Sequence, residues 1–102
     1  MTLRFVDGPM PTTQAVLDHV RERIMHAVGR FEPRIAVVEV RIQDVNGPRG
    51  GMDKQCRILA SIPHRAPVIV AEQASGFYEA IDLASHKLKR AVTRMIDRRK
   101  RG

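Results

Sequence analysis

Five basic residues near the C-terminus, Lys87, Arg90, Arg94, Arg98 and Arg101, follow one another at steps of three, four, four and three. At 3.6 residues per helical turn this spacing draws them into one ridge about 20 Å long, enough to meet several successive phosphates. A ridge that served only solubility would interleave acids at i and i+4, yet Asp97 is the only acid between Lys87 and Arg101. Two further arginines, Arg23 and Arg30, stand two turns apart on an earlier helical segment and could extend the same surface. Lys89 and Arg99 fall off the line of the ridge and are secondary candidates. The chemistry these residues offer is electrostatic capture of a phosphate backbone.

Residues able to do covalent or metal chemistry are sparse. The four histidines are His19, His26, His64 and His86, and none has metal-ligand spacing. His19 and His26 stand about 10 Å apart along a helix axis, too far for one ion, so all four read as surface or structural residues. Cys56 alternates with core positions and reads as a small buried hydrophobe. The glycine-rich stretch lacks the Gly-Lys-Ser/Thr of a phosphate-binding loop, and Met52 follows Gly50-Gly51 where peptide-release catalysts carry glutamine. The expectation is a protein that is not an enzyme, with no cofactor, no metal and no small-molecule substrate.

Duplex reading by side chains finds no support either, since helix-turn-helix spacing, zinc ligands and a heptad-bearing basic region are all missing. Base stacking is poorly served: there is no tryptophan, Tyr78 is the only tyrosine, and Phe5, Phe31 and Phe77 occupy apolar-patterned positions. Recognition of backbone and shape remains.

The bulk composition agrees. Eighteen Lys and Arg against eleven Asp and Glu give a net charge of +7 and a pI near 10.8. Residues 77–102 hold eight of the basic and three of the acidic groups, so most of the excess lies in the last quarter. With 102 residues, 43% hydrophobic and 28% charged, the chain has the length and composition of one small domain. A single cysteine, no secretory leader pattern and no apolar run near 20 residues lead to the expectation of a cytoplasmic protein without a membrane span.

The elements that must position the ridge follow from periodicity. Leu3 and Phe5 alternate with polar residues before Gly8, Pro9 and Pro11, which predicts a short strand and a break. Thr13 is a candidate N-cap for a helix whose Val16, Val20, Ile24, Ala27 and Phe31 share one face. Gly29 and Pro33 mark its end. Period-two alternation then places Ala36, Val38, Val40 and Ile42 on one strand face. Asn46-Gly47-Pro48 and Gly50-Gly51, between Asp44 and Asp53, predict a turn back into a third strand with Cys56, Ile58, Ala60 and Ile62 inward. A fourth strand runs from Val68 to Gln73. Ser75 is a candidate cap for a last helix carrying Phe77, Ile81, Ala84, Leu88, Val92 and Met95 inward. Arg99 falls on the line of that stripe, so packing is expected to end near Met95 or Ile96.

The predicted fold is therefore α+β, in the order β-α-β-β-β-α. A four-stranded sheet carries both helices on one face, with a right-handed first crossover if its strands are parallel. Residues 1–97 form the one domain, and residues 98–102 a basic tail that projects or frays until it meets RNA.

With these residues placed, Tyr78-Glu79-Ala80-Ile81-Asp82, then Lys87-Leu88 and Arg90, with Arg94 and Arg98 beyond, resemble the ribosome hibernation promoting factor and ribosome-associated inhibitor family in its short, sigma-modulation-protein-like form. Weaker pieces are Thr13 to Ile24 and the stretch Asn46-Gly47-Pro48-Arg49-Gly50-Gly51 leading to Asp53-Lys54 and Cys56-Arg57. The family's fold has the same element order and is similar to a double-stranded RNA-binding domain. The resemblance implies binding to the small ribosomal subunit and its RNA where messenger and transfer RNA meet, with occlusion of both. On it, Lys87, Arg90, Arg94 and Arg98, helped by Arg23 and Arg30, grip ribosomal RNA, with Lys89, Arg99 and Arg101 nearby. It also implies a protein monomeric off the ribosome, without the dimerisation domain of long members. The competing readings are a module for other structured RNA, and a protein-interaction or transcription-modulating domain that uses the basic face for an acidic partner.

Overall fold

A computed structural model of the chain describes residues 1–6, 13–45 and 53–101, with side chains described through Asp97. The elements are β1 (Thr2–Phe5), α1 (Gln14–Val28), β2 (Val37–Asp44), β3 (Lys54–Ser61), β4 (Val68–Ala74) and α2 (Phe77–Arg101). This is the α+β order read from the periodicity. The strands form one sheet in the order β1-β2-β3-β4, with β1 parallel to β2 and the other neighbours antiparallel. The breaker residues Gly8, Pro9 and Pro11 and the turn residues Asn46-Gly47-Pro48 and Gly50-Gly51 lie outside the described residues.

Alternation fixes the sheet's two faces. Val38, Val40, Cys56, Ile58, Ala60, Val68, Val70 and Ala74 point inward and are buried, and the β2–β3 register sets Val40 against Ile58 and Ile42 against Cys56. The helices cover this face: Val20, Ile24, Ala27 and Val28 from α1, and Ala80, Ile81, Ala84, Leu88, Val92 and Ile96 from α2, join the same core. Leu3 and Phe5 pack at its margin. The opposite face stays open and carries Glu39 paired with Arg4, Gln43 hydrogen-bonded to Gln55, and Arg41 directly across from Arg57.

Helix boundaries depart from the periodic reading in three places. The hydroxyl of Thr13 accepts from the Val16 N–H at 3.3 Å, so the expected cap of α1 is present. At its other end α1 tightens after Val28 into a 3₁₀ turn, Gly29–Arg34, which accommodates Pro33 and keeps Phe31 buried. Ile35 closes this turn by donating to the Glu32 carbonyl and enters the core, which leaves Ala36 exposed rather than inward. Before α2, the Gly76 carbonyl accepts the first helical bond from the Ala80 N–H, while the Ser75 hydroxyl reaches the Glu79 carboxylate. Ile96 is the last buried side chain of α2 among the described residues, and the helical backbone continues to Arg101.

The hairpin β2–β3 is tied where β2 ends and β3 begins. Lys54 Nζ donates to Asp44 at 2.7 Å and to the buried Asp53 at 3.3 Å, and lies 5.4 Å from the centre of the Phe77 ring. The Asp44 hydrogen bond is the main reason the Lys54 pKa is raised, against a smaller opposing effect of desolvation. Both partners stabilise the charged amine, so the stability they lend is present at neutral pH and is lost as pH climbs through the alkaline range of the lysine.

Cys56 is fully buried, and desolvation pushes its thiol pKa up to about 12. The thiolate fraction near neutrality thus falls roughly a thousandfold relative to a free cysteine. A maleimide at pH 7.5 is expected to leave the native thiol untouched and to label it fully in denaturant. Labelling of the native protein at the denatured rate would disprove the burial. Because the unfolded thiol ionises first, the fold also loses stability as pH rises from about 9 towards 12.

Candidate nucleic-acid interface

The two helices lie side by side and run parallel. His19 meets Asp82, and Arg30 meets Thr93. Both pairs are separated by 63 residues, so an eleven-residue advance on α1 matches an eleven-residue advance on α2. Two polar stripes run at steps of four, three and four: His19, Arg23, His26 and Arg30 along α1 and the 3₁₀ turn that continues it, and Asp82, His86, Lys89 and Thr93 on α2. The stripes border a cleft outside the apolar contact.

At one end of the cleft the contacts are internal. His19 Nε2 lies 2.7 Å from Asp82 Oδ1, Arg23 Nε lies 3.0 Å from the same oxygen, and the His19 ring meets Tyr78 edge-on at 4.8 Å. Further along, the Arg30 guanidinium donates to the Thr93 hydroxyl at 3.4 Å and stacks 4.4 Å from the Phe31 ring centre, which holds it extended over the cleft.

Here a hollow of about 370 Å³ is lined by Arg30, His86, Lys89, Arg90, Thr93 and Arg94. Four of these six residues are permanent cations and none is a carboxylate. Lys89, Arg90 and Arg94 are exposed and have no ion-pair partner among the described residues. Unpaired like charges repel one another at close range in a medium of reduced dielectric, and a polyanion relieves that repulsion while releasing its own counterions. Arg30 follows directly on the C-terminal turn of α1, whose carbonyl ends favour a cation there.

The predicted site residues separate on this geometry. Arg30, Lys89, Arg90 and Arg94 come together on the cleft. Lys87 lies on the other flank of α2, 3.4 Å from Glu72 of β4, and Arg23 is held by Asp82. The Arg98, Arg99 and Arg101 side chains lie outside those described. From sequence alone His26 and His86 read as surface or structural residues, Asp82 enters only within the family motif and Thr93 has no role, although their spacing on the two stripes is available there. Among the described residues no group of three or more His, Cys, Asp or Glu side chains is placed to hold a metal ion, and no helix is long and apolar enough to cross a membrane.

Fold and site together define a small α+β domain with an open sheet on one side and a cationic two-helix face on the other. Residues 6–100 match the family described as "Sigma 54 modulation protein / S30EA ribosomal protein", and the chain belongs to that family, one of ribosome-associated, non-enzymatic factors. No curated protein matches the chain significantly in sequence. Among solved structures, a ribosomal subunit interface protein from Coxiella burnetii superposes with a TM-score of 0.77 at 12% identity, over 95% of this chain and 99% of that one. The N-terminal domain of Thermus thermophilus Protein Y gives 0.74 at 22% identity, over 93% and 99%. At these identities the two likenesses establish the shared fold.

Proposed function

We propose that this protein is a cytoplasmic hibernation factor that binds small-subunit ribosomal RNA in the decoding region and occludes messenger and transfer RNA. The observation that carries the reading is the convergence of Arg30, Lys89, Arg90 and Arg94 on one hollow of the cleft whose lining has no carboxylate. Membership of a ribosome-associated family supports the choice of RNA. In this reading the four cleft cations form the inner grip on the phosphate backbone. Lys87 and Arg23 contribute after exchanging or sharing their carboxylate partners, and Arg98, Arg99 and Arg101 of the basic tail, residues 98–102, prolong the contact along the RNA. Residues 1–97 act as one domain, monomeric off the ribosome. Inhibition is steric and needs no bond to be made or broken.

The test is sedimentation with purified small subunits, combined with displacement of labelled transfer RNA. The protein is expected to co-sediment with small subunits and to reduce transfer RNA retention in proportion to its own occupancy. Recovery with free RNA but never with small subunits would sink the ribosomal reading. If about six phosphates are neutralised, log affinity should fall against log salt with a slope on the order of four to five. A flat response would argue for a protein partner instead.

A further inference from the structure

The cleft contains a second hollow, and its chemistry differs from that of the first. About 250 Å³ in volume, it is lined by Arg23, His26, Ala27, Asp82, Ser85, His86 and Lys89, and it meets the cationic hollow at His86 and Lys89. Here an acceptor is present. Both contacts to Asp82 described above fall on Oδ1, so among the described residues Oδ2 is without a hydrogen-bond partner. Ser85, only 3% exposed, has a hydroxyl with no partner at all. A buried polar atom left unsatisfied is costly in a folded protein and marks a place where a ligand group has something to gain. His26 of α1 and His86 of α2 are exposed and line the hollow from its two sides.

A purely phosphate-binding groove has no use for a carboxylate, which would repel the backbone. A nucleotide needs both kinds of surface: cations for its phosphate, and flat rings with a few hydrogen-bonding atoms for its base. We propose that the α1–α2 cleft is a nucleotide site, with the phosphate among Lys89, Arg90, Arg94 and Arg30 and the base between His26 and His86. There the base faces Asp82 and Ser85. An ionised carboxylate only accepts hydrogen bonds, so Asp82 selects a base that turns a donor to it, as the exocyclic amino group of cytosine or adenine does, against the analogue without any donor on that edge, pyrimidin-2-one or unsubstituted purine. The hollow lies at the small end of ligand-sized cavities, which suits one extruded base rather than a duplex. The same chemistry recognises a nucleotide held in RNA and a free one. The RNA-borne case rests on the function proposed above, whereas the free case does not.

Two arms separate these sources. In the first, the intact protein is titrated with the monophosphates of cytidine and of its pyrimidin-2-one analogue, then of adenosine and of purine riboside, and the backbone amides of Ser85, His86 and Lys89 are followed by NMR. In the second, an RNA hairpin bearing a single bulged C or a single bulged pyrimidin-2-one nucleotide is titrated in the same way. The amino form is expected to bind at least about fivefold more tightly in each pair. Asp82→Asn keeps an oxygen for His19 but presents an amide that can also donate, so it should erase the preference while phosphate-driven binding persists. His86→Ala, at an exposed position that the fold does not need, should weaken both forms several-fold. Preference in the hairpin arm alone supports an RNA-borne base, and preference among mononucleotides alone supports a free nucleotide. Equal affinity for the amino forms and the analogues without a donor in both arms, with small-subunit binding intact, overturns the inference and leaves the proposed function standing. A preserved preference without any small-subunit binding does the reverse.

Discussion

Replacing Arg90 and Arg94 together by glutamate is expected to reduce small-subunit association by at least a hundredfold, while Arg41→Glu with Arg57→Glu leaves it within a few-fold of the parent. Both pairs change the net charge by the same amount, so total charge cannot account for a difference. Their positions can. Arg90 and Arg94 line the carboxylate-free hollow of the cleft, whereas Arg41 and Arg57 oppose each other on the open sheet face, beside Glu39. Each lost phosphate contact removes roughly one unit from the salt slope, and each introduced carboxylate repels the backbone that the arginine had attracted. At about 1 kcal/mol per unit charge near a polyanion surface, four units give about 4 kcal/mol, and screening by physiological salt lowers this. Binding measured across a salt series checks both the drop and the reduced slope. Equal losses in the two double variants would mean that the protein is held by diffuse charge and that the cleft has no special role.

The topology was legible because local pattern and global packing agree. Period-two alternation across Val38, Val40, Cys56, Ile58 and Ala60 specifies which strand face is buried, and a shift by one residue would turn every one of them to water. What escaped was local backbone choice at the joints. Nothing in the alternation reveals that the chain leaves α1 through a 3₁₀ turn, so that Ile35 rather than Ala36 goes inward. Ser75 has the chemistry of a cap, yet its hydroxyl donates to the Glu79 carboxylate and it is the Gly76 carbonyl that accepts the first helical bond.

The site was half legible for a related reason. Spacing along α2 shows that Lys87 and Lys89 lie on opposite flanks of the buried stripe, and it cannot tell which flank looks toward α1. That is a tertiary fact, set by the parallel alignment of His19 with Asp82 and of Arg30 with Thr93. Once the alignment is known, Lys89 belongs to the cleft and Lys87 to the β4 edge. The histidines were read one at a time for metal spacing. Their significance lies in belonging to two facing stripes with the same steps, a pattern visible only when the helices are read as a pair.

The same helix also carries more of the core than any other element, so stability and binding should be separable along its sequence. Leu88 is fully buried between Lys87 and Lys89, on the α2 face that packs against the sheet. Truncation to alanine removes its packing and leaves a cavity that a sheet and two helices cannot fully close, a change that costs about 3 kcal/mol. For a domain of this size the melting temperature should drop by roughly 12 to 24 °C. Leu83, 49% exposed on the same helix, is the matched control, and its truncation should stay within about 0.5 kcal/mol. Well below its melting point, Leu88→Ala should bind small subunits nearly as well as the parent, since the cleft cations retain their helical frame. Saturating RNA should then recover part of the lost melting temperature, because a ligand that binds only the folded state stabilises it by mass action. The arginine double variant should show the opposite profile, with an unchanged melting temperature and no stabilisation by RNA. If Leu88→Ala instead lost affinity in proportion to the arginine variant while still folded, the cleft geometry would depend on core packing far more tightly than a rigid helical scaffold allows.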